Sequence, residues 1–323
     1  MKPKVFVTRP LPNQVLDMLA ARCDLQVHAE DAAMKPEQLA QACRDVEGLL
    51  VVGTRVSKEV LDLAPKLRVV ANCAVGYDNI DVAACTQRRI VVTNTPGVLT
   101  ETAADLAFAL LMAVARRVAE GDRFVREGRW LRWEWSLLWG ADIHGKTLGL
   151  YGFGRIARAM ARRGRGFAMR ILYHARHRAS HAVEGELAAT YTDRATLLRE
   201  SDFLSLHLPL TTDTQHLIRA EDFAAMKPTA FLINTARGKV VDEEALVEAL
   251  QTRKIAGAGL DVFEHEPHVH PGLLKLDNVV LMPHVGSATA ETRLRMARLA
   301  AENLLAVLEG RRPPNPVNPE ALE

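Results

Sequence analysis

Two stretches of the chain carry residue types and spacings suited to holding a nucleotide. LGLYGFGRIARAMARR contains G-x-G-x-x-A at Gly152, Gly154 and Ala157, with Phe153, Arg155 and Ile156 between the small residues. The first Gly permits a tight turn, the second lets a pyrophosphate approach the backbone, and the small third residue lets a helix pack close to a strand. The helix N-terminus then presents amide donors to the anion. A glycine turn alone is weak grounds, but here an apolar strand precedes the motif and an amphipathic helix follows, with the next strand beginning about eighteen residues on. The second stretch, ILYHARHRAS, ends an apolar strand in His174, Ala175, Arg176, His177 and Arg178 with no acid among them. An NAD-binding unit places Asp or Glu there to accept from the ribose hydroxyls. An acid would repel a 2′-phosphate, whereas Arg176 and Arg178 can pair with one through charge-assisted hydrogen bonds. HARHR therefore reads as a clamp for NADP(H), with NAD(H) as the second choice; the competing reading is a solvated basic loop. Arg162, Arg163 and Arg165 nearby read as solvated surface.

Three later segments bring polar residues to the ends of strands, where open α/β sheets bind ligands. They are INTARGKVVDEEAL with Arg237, GLDVFEHEP with Asp261, Glu264 and Glu266, and LMPHVGSAT with His284. His265, His268 and His270 in EHEPHVHP have an H-x-H spacing found in some metal sites. The segment is a Pro-flanked loop without a second ligand cluster, so no metal is expected.

The elements that position these residues follow from hydrophobic periodicity. KVFVT, LQVH, GLLVV, RVVANC and IVVTN alternate with helices such as Pro12 to Arg22 and Pro36 to Cys43, the pattern of a parallel α/β sheet. After Asn94, Pro96 and Gly97, a long apolar helix from about Thr102 to Arg117 leads into a Trp-rich stretch. Six strands then follow with intervening helices: TLGLY, RILYH, FLSLH, TAFLIN, AGAGL and VVLM. They fit a dinucleotide-binding sheet. The last helix, about Ala290 to Glu309, has no strand after it and can return to the first domain. The fold expected is α/β with two Rossmann-like domains, flavodoxin-like and dinucleotide-binding. Their sheets are parallel, and the domains are residues 1–98 with 290–323, and 99–289.

Composition narrows the function classes. With 48% hydrophobic and 25% charged residues the chain is globular, and 41 basic against 39 acidic residues leave no whole-molecule field for nucleic acid or an anionic membrane. MKPKVFVTRP lacks the apolar core of a signal peptide, and the best apolar helix is about half the length that spans a bilayer. A cytoplasmic protein is expected. Cys23, Cys43, Cys73 and Cys85 show no C-x-x-C spacing and read as reduced thiols without a catalytic role.

In chain order, CAVGYDNIDV, TNTPGVLTETAADLAFALL, KTLGLYGFGRIA, HLPLTTDTQHLI, NTARGKVVDEEALVEAL, AGLDVFEHEP and PHVGSAT resemble signatures of the D-2-hydroxyacid dehydrogenase family. Within it they are most similar to the glyoxylate, hydroxypyruvate and 2-ketogluconate reductase branch. The resemblance covers essentially the whole chain. It implies a discontinuous substrate domain around a central nucleotide domain, a cleft between them, a homodimer, and a small 2-oxoacid as substrate. It places the family's catalytic Arg, Glu and His on Arg237, Glu266 and His284. An Arg fork can hold the oxoacid's carboxylate and carbonyl, a protonated imidazole can donate to the developing oxyanion, and a carboxylate can keep that imidazole protonated. Glu264 is the rival acid, but the family uses the residue before Pro267. The resemblance also implies cofactor contacts at Pro209, Thr214, Thr235, Ala236, Asp261 and Gly286, with Asp261 at the nicotinamide carboxamide. The amides of Val75 and Gly76, in the loop Ala74 to Tyr77, are implied to take the substrate carboxylate. Related phosphite dehydrogenases carry Lys where this chain has Val75. A non-enzymatic NAD(P)-sensing corepressor on the same fold is the other alternative; such proteins usually carry insertions or long tails, and the ending RRPPNPVNPEALE favours the enzyme. Trp130, Trp133, Trp135 and Trp139 read either as packing between domains or, from the resemblance, as an arm reaching across a dimer.

Overall fold

Short β-branched runs, too brief to pair with themselves, recur between amphipathic helices and assemble into two parallel sheets, one in each of two compact units. The computed structural model describes all 323 residues. One unit comprises Met1–Leu99 with Ala288–Glu323, the other Thr100–Ser287.

In the first unit the elements are β1 (Lys4–Val7), α1 (Asn13–Ala20), β2 (Asp24–Val27), α2 (Pro36–Ala42), β3 (Gly48–Val51), α3 (Lys58–Asp62), β4 (Val69–Asn72), α4 (Val82–Gln87) and β5 (Val91–Thr93). The strand order is β2-β1-β3-β4-β5, the flavodoxin-like order, with every pair parallel. β3 and β4 are buried at every residue, which is why they read as unbroken apolar runs. Leu39, Val60, Leu61 and Cys85 cover one face. Leu19, Ala300, Ala301 and Leu304 cover the other. The last three come from the long C-terminal helix, so the chain does return to its first unit to complete that core. Beyond that helix, buried Asn318 accepts from Val92 N at 2.7 Å and donates to Ile90 O at 3.0 Å, tying the tail to the sheet edge.

The second unit contains α5 (Thr100–Ala115), α6 (Val118–Arg126), β6 (Thr147–Tyr151), α7 (Arg155–Gly166), β7 (Arg170–His174), α8 (His181–Leu187), β8 (Ala189–Tyr191), α9 (Arg194–Glu200), β9 (Phe203–Leu206), α10 (Ala220–Ala225), β10 (Phe231–Asn234), α11 (Glu243–Gln251), β11 (Gly257–Leu260) and β12 (Val279–Leu281). The remaining helix, α12 (Ala290–Leu308), is the one that closes the first unit. The order β12-β11-β10-β9-β6-β7-β8 places β6 at the reversal of a dinucleotide-binding sheet.

Two expectations need correction here. The sheet has seven strands, since β8 pairs in parallel with β7 through Ile171, Leu172 and Tyr173. At three residues with a mixed burial pattern, β8 leaves almost no periodic signal. The long apolar helix ends at Ala115, and a separate α6 follows through Arg117 in the left-handed conformation. No residue of α6 is buried, so its apolar periodicity marks no core. The arginine run of α7 does lie at the surface, with Arg162 and Arg165 exposed, but its guanidinium groups have partners. Arg163 binds Asp105 Oδ1 at 2.9 Å through Nε and Glu101 Oε2 at 2.9 Å, while Arg162 reaches Glu101 Oε1 at 2.7 Å. Arg165 donates to Glu186 O. The acids lie one turn apart on α5, far upstream in sequence, where a local reading cannot see them.

All four cysteines are free and buried, and burial pushes the thiols of Cys43, Cys73 and Cys85 up to about 12. No helix is long and apolar enough to cross a membrane.

Candidate active site

The nucleotide motif forms the turn between β6 and α7. Gly152 has φ +87°, and a Cβ there would collide with the carbonyl oxygen of His207, so the position admits only glycine. Its amide donates to His174 O at 2.8 Å, joining the turn to the end of β7. Gly154 precedes the helix in extended conformation without a side-chain cap, and a Cβ on it would meet nothing within 4 Å. The first helical amides lack intrahelical acceptors and face this open space. Ala157 is fully buried, and Phe153 stacks on Tyr173 at 3.8 Å. A pyrophosphate fits this cradle. A second mark of fit is Thr235 after β10, whose Oγ1 is buried with no hydrogen-bond partner. Thr214 closes its own loop, donating to Pro209 O at 2.7 Å and accepting from Thr211 N at 2.8 Å.

The basic loop after β7 differs from its sequence reading in one respect. Arg178 is held by an acid: its Nε and Nη2 donate to the two oxygens of Glu184 on α8, both at 2.9 Å. Glu184 also accepts from the Tyr173 hydroxyl at 2.6 Å, and the Arg178 and Tyr173 bonds hold its carboxyl at about 2. Arg176 and His177 are exposed, and Arg176 makes no ion pair. The loop thus offers one uncommitted guanidinium and one neutralised by a residue six positions on.

Arg237, Glu266 and His284 follow β10, β11 and β12 respectively, all at C-terminal strand ends. Buried Asn234 shapes the first turn, accepting from Ala236 N and donating to Arg237 O, each at 3.0 Å. Arg237 Nη1 donates to Ala236 O at 2.8 Å. Glu266 accepts from Phe263 N at 2.9 Å on one oxygen and from His284 Nδ1 at 2.7 Å on the other. With Nδ1 held by the carboxylate, Nε2 is the nitrogen left to exchange a proton. The ring is half-exposed. His284 has φ +53°, a left-handed conformation that costs a non-glycine residue roughly 1–3 kcal/mol. Asp261 enforces it. Its carbonyl accepts from His284 N at 2.9 Å, and its buried carboxylate accepts from Val285 N and Gly286 N, both at 2.8 Å. Burial raises the Asp261 pKa against the opposing pull of these amides.

The charges of the three groups are coupled. The hydrogen bond to Glu266 raises the His284 pKa above its ordinary value; burial and the Arg237 charge oppose that rise without cancelling it. Burial pushes Glu266 up, but the His284 bond and charge, the Phe263 amide and Arg237 together bring it below the usual range. Both shifts describe an imidazolium beside a carboxylate. Glu264 faces elsewhere, accepting from His216 Nε2 at 2.7 Å, and it exchanges backbone contacts with Glu243. His270 is likewise engaged, with Glu244 at 2.9 Å on one nitrogen and Gly272 N at 3.0 Å on the other.

In the first unit, the loop after β4 has its carbonyls tied down. Thr95 N donates to Ala74 O at 2.9 Å, Asn94 Nδ2 to Val75 O at 2.8 Å and Asn72 Nδ2 to Gly76 O at 2.8 Å. The Val75 and Gly76 amides bond to nothing in the chain. The sequence reading took Asn94 only as a turn residue and missed Asn72 and Asn234, because an Asn at a strand end is equally a turn former. It also missed His207, which burial pushes down to about 4 and which meets Ser205 Oγ at 2.9 Å.

A family model described as D-isomer specific 2-hydroxyacid dehydrogenase, NAD binding domain, matches residues 108–286. The chain is 51% identical to a glyoxylate reductase of Thermococcus litoralis, covering 100% of this chain and 98% of the relative. It is 52% identical to one of Korarchaeum cryptofilum over the same shares of each. Among solved structures, an NADPH-dependent glyoxylate/hydroxypyruvate reductase from Sinorhizobium meliloti, in complex with NADP and malonate, superposes with a TM-score of 0.90 at 38% identity. It covers 99% of this chain and 98% of its own.

Proposed function

We propose, from the premise that this chain belongs to the D-isomer specific 2-hydroxyacid dehydrogenase family, that it reduces small 2-oxoacids such as glyoxylate and hydroxypyruvate to D-2-hydroxyacids. The observation that carries this reading is the 2.7 Å contact between His284 Nδ1 and Glu266, with Arg237 close enough to shift both charges. A bound reduced nicotinamide supplies the hydride. Arg237 presents a planar fork of donors that orients a carboxylate and its adjacent carbonyl. His284 Nε2 gives its proton to the carbonyl oxygen as negative charge develops there, and Glu266 keeps the ring charged and aimed. Gly152, Gly154 and the first turn of α7 would hold the pyrophosphate, with Thr235, Ala236, Asp261 and Gly286 along the neighbouring strand ends. In the first unit, the unpaired amides of Val75 and Gly76 are donors suited to the substrate carboxylate, and we assign that unit to substrate and the second to cofactor.

Three finer readings go with this. NADPH is preferred to NADH, supported by uncommitted Arg176 and by the NADP in the Sinorhizobium relative. The working form is a homodimer, supported by the exposed aromatic run Trp130, Trp133, Trp135 and Trp139. The compartment is cytoplasmic, consistent with four buried free thiols. A panel of 2-oxoacids with each cofactor, followed by absorbance of the reduced nicotinamide, tests the central reading. Turnover of glyoxylate or hydroxypyruvate is expected; no turnover of any 2-oxoacid would remove it.

A further inference from the structure

We propose that His216 is a positioning residue that acts through Glu264 to brace the segment carrying Glu266, so that Glu266 keeps its hold on His284. The effect on turnover rests on the 2-oxoacid reductase reading above; the brace itself is a matter of contacts within the second unit.

His216 stands at the exit of the loop between β9 and α10, the loop that carries Pro209 and Thr214. There the chain runs beside the segment that follows Arg237. His216 N donates to Lys239 O at 2.8 Å, and Ile218 N donates to Val240 O at 3.1 Å. The backbone of His216 is left-handed, with φ +48°. Outside Gly and Asn that conformation persists where the surroundings over-determine it. Here three contacts do so: the amide bond to Lys239, a bond from Arg219 Nε to the His216 carbonyl at 2.7 Å, and the meeting of Nε2 with Glu264 Oε1 at 2.7 Å. Against a carboxylate, Nε2 is the donor.

Glu264, the rival acid of the sequence, has an environment that calls for such a donor. Its side chain is 16% exposed, and it lies against Glu243, which is buried. The two exchange backbone contacts: Glu264 N donates to Glu243 Oε2 at 2.9 Å, and Glu264 Oε2 accepts from Glu243 N at 3.4 Å. This exchange draws together two carboxylates that water reaches poorly, and like charges so placed repel. The imidazole takes the Glu264 oxygen that Glu243 leaves free, and so keeps the carboxylate seated.

The seat matters because of what is attached to it. Glu264 lies between Phe263, whose amide donates to Glu266 Oε1 at 2.9 Å, and Glu266 itself, whose other oxygen is 2.7 Å from His284 Nδ1. Without His216, Glu243 pushes on an unbraced Glu264, and the displacement passes over two residues to that contact. Glu266, Arg237 and Asp261 are the charged groups that face His284, and the Glu266 bond is the largest influence raising its pKa. A longer bond therefore lowers the His284 pKa.

The test uses the full-length protein, His216→Asn, His216→Gln, Glu264→Ala and the double variant His216→Asn with Glu264→Ala. Asn accepts positive φ but is too short to reach Glu264, so it removes the contact and spares the backbone; Gln restores a donor at about the reach of Nε2. The His284 titration is followed by NMR of the imidazole, assigned by its absence in His284→Ala, and kcat for glyoxylate reduction is measured across pH. His216→Asn and Glu264→Ala should each lower the His284 pKa by about half a unit or more, move the reductive limb with it, and reduce kcat about tenfold. The double variant should lose no more than about twofold beyond the worse single one, because the two residues act as one brace. His216→Gln should return to within about threefold of the parent. An unmoved His284 pKa, losses that add, or a Gln variant as impaired as the Asn variant would each overturn the brace while leaving the reductase reading intact. Turnover of no 2-oxoacid by the parent removes the reductase reading, and the NMR titration still decides the brace. If Glu264→Ala does not fold, the comparison of Asn with Gln at position 216 decides alone.

Discussion

Gly238, immediately after Arg237, is where the structure makes its most demanding statement about the site. A Cβ at this position would overlap the Phe263 carbonyl carbon and oxygen and the Glu264 nitrogen, all backbone atoms. These belong to the segment whose Phe263 amide donates to Glu266, three residues on, and whose Glu266 holds His284. Neither side can yield cheaply. The Arg237 turn is pinned by Asn234, and the 263–264 backbone is pinned by the Glu243 bond at 2.9 Å. Gly238→Ala must therefore separate the two backbones by on the order of 1 Å, a displacement that can cost about 10²-fold when it misplaces catalytic groups. The nucleotide turn at Gly152 to Ala157 belongs to a different strand end and should be untouched. Steady-state kinetics on glyoxylate or hydroxypyruvate should show kcat/KM reduced about 10²-fold. Titration of cofactor binding by nicotinamide fluorescence should show an affinity within about threefold of the parent. A folded Gly238→Ala protein with parental kcat/KM would refute the claim that the Arg237 and Glu266 segments position each other. Loss of cofactor binding would show instead that the damage is global.

Other outcomes are expected from the same geometry. His284→Ala should lower turnover by roughly 10²-fold or more with little change in cofactor affinity, and undiminished turnover would remove His284 as proton donor. In the proposed mechanism reduction uses the His284 imidazolium, whose pKa Glu266 raises, so its rate should fall as pH rises through that raised value, while hydroxyacid oxidation should rise. Glu266→Gln takes away the charge responsible and should move the reductive limb to lower pH; a limb that stays in place would mean another group holds the ring. With Arg178 tied to Glu184, the proposed NADPH preference would rest on Arg176. Arg176→Ala should reduce it about tenfold and weaken its salt dependence, and an unchanged ratio of dissociation constants would make the loop a bystander.

What the sequence makes legible here is what is local. The strands RILYH and KVFV were recoverable because both faces of a parallel sheet are buried and the chain must write them as continuous apolar runs. The nucleotide turn was recoverable because each of its small residues answers a steric demand within a few positions of itself. That Arg237, Asp261 and His284 stand at the ends of consecutive strands could be read from the apolar runs before them. What escaped was pairing between elements distant in sequence. Arg162 and Arg163 look unpaired when their acids sit on a helix some sixty residues upstream. Arg178 looked free for a subtler reason. Glu184 is only six residues on, but it reaches back only because α8 turns its buried face to the Tyr173 hydroxyl, which depends on packing and not on spacing.

Backbone strain was invisible for a related reason. Left-handed conformations are anticipated at Gly or Asn, and nothing in PHVGSAT marks the histidine as the residue that adopts one. The explanation lies in Asp261, twenty-three residues earlier in sequence, whose carbonyl and both carboxylate oxygens accept from three successive amides, His284, Val285 and Gly286. Three bonds of about 1 kcal/mol each are comparable to the cost of the strained residue. The ring is thus fixed from both ends, its backbone by Asp261 and its Nδ1 by Glu266, and the carboxylate of Asp261 already has both oxygens committed to amides. Any contact Asp261 makes with a nicotinamide therefore has to use the remaining lone pairs of those same oxygens, which makes it a residue that aims the proposed proton donor as well as one that could touch the cofactor.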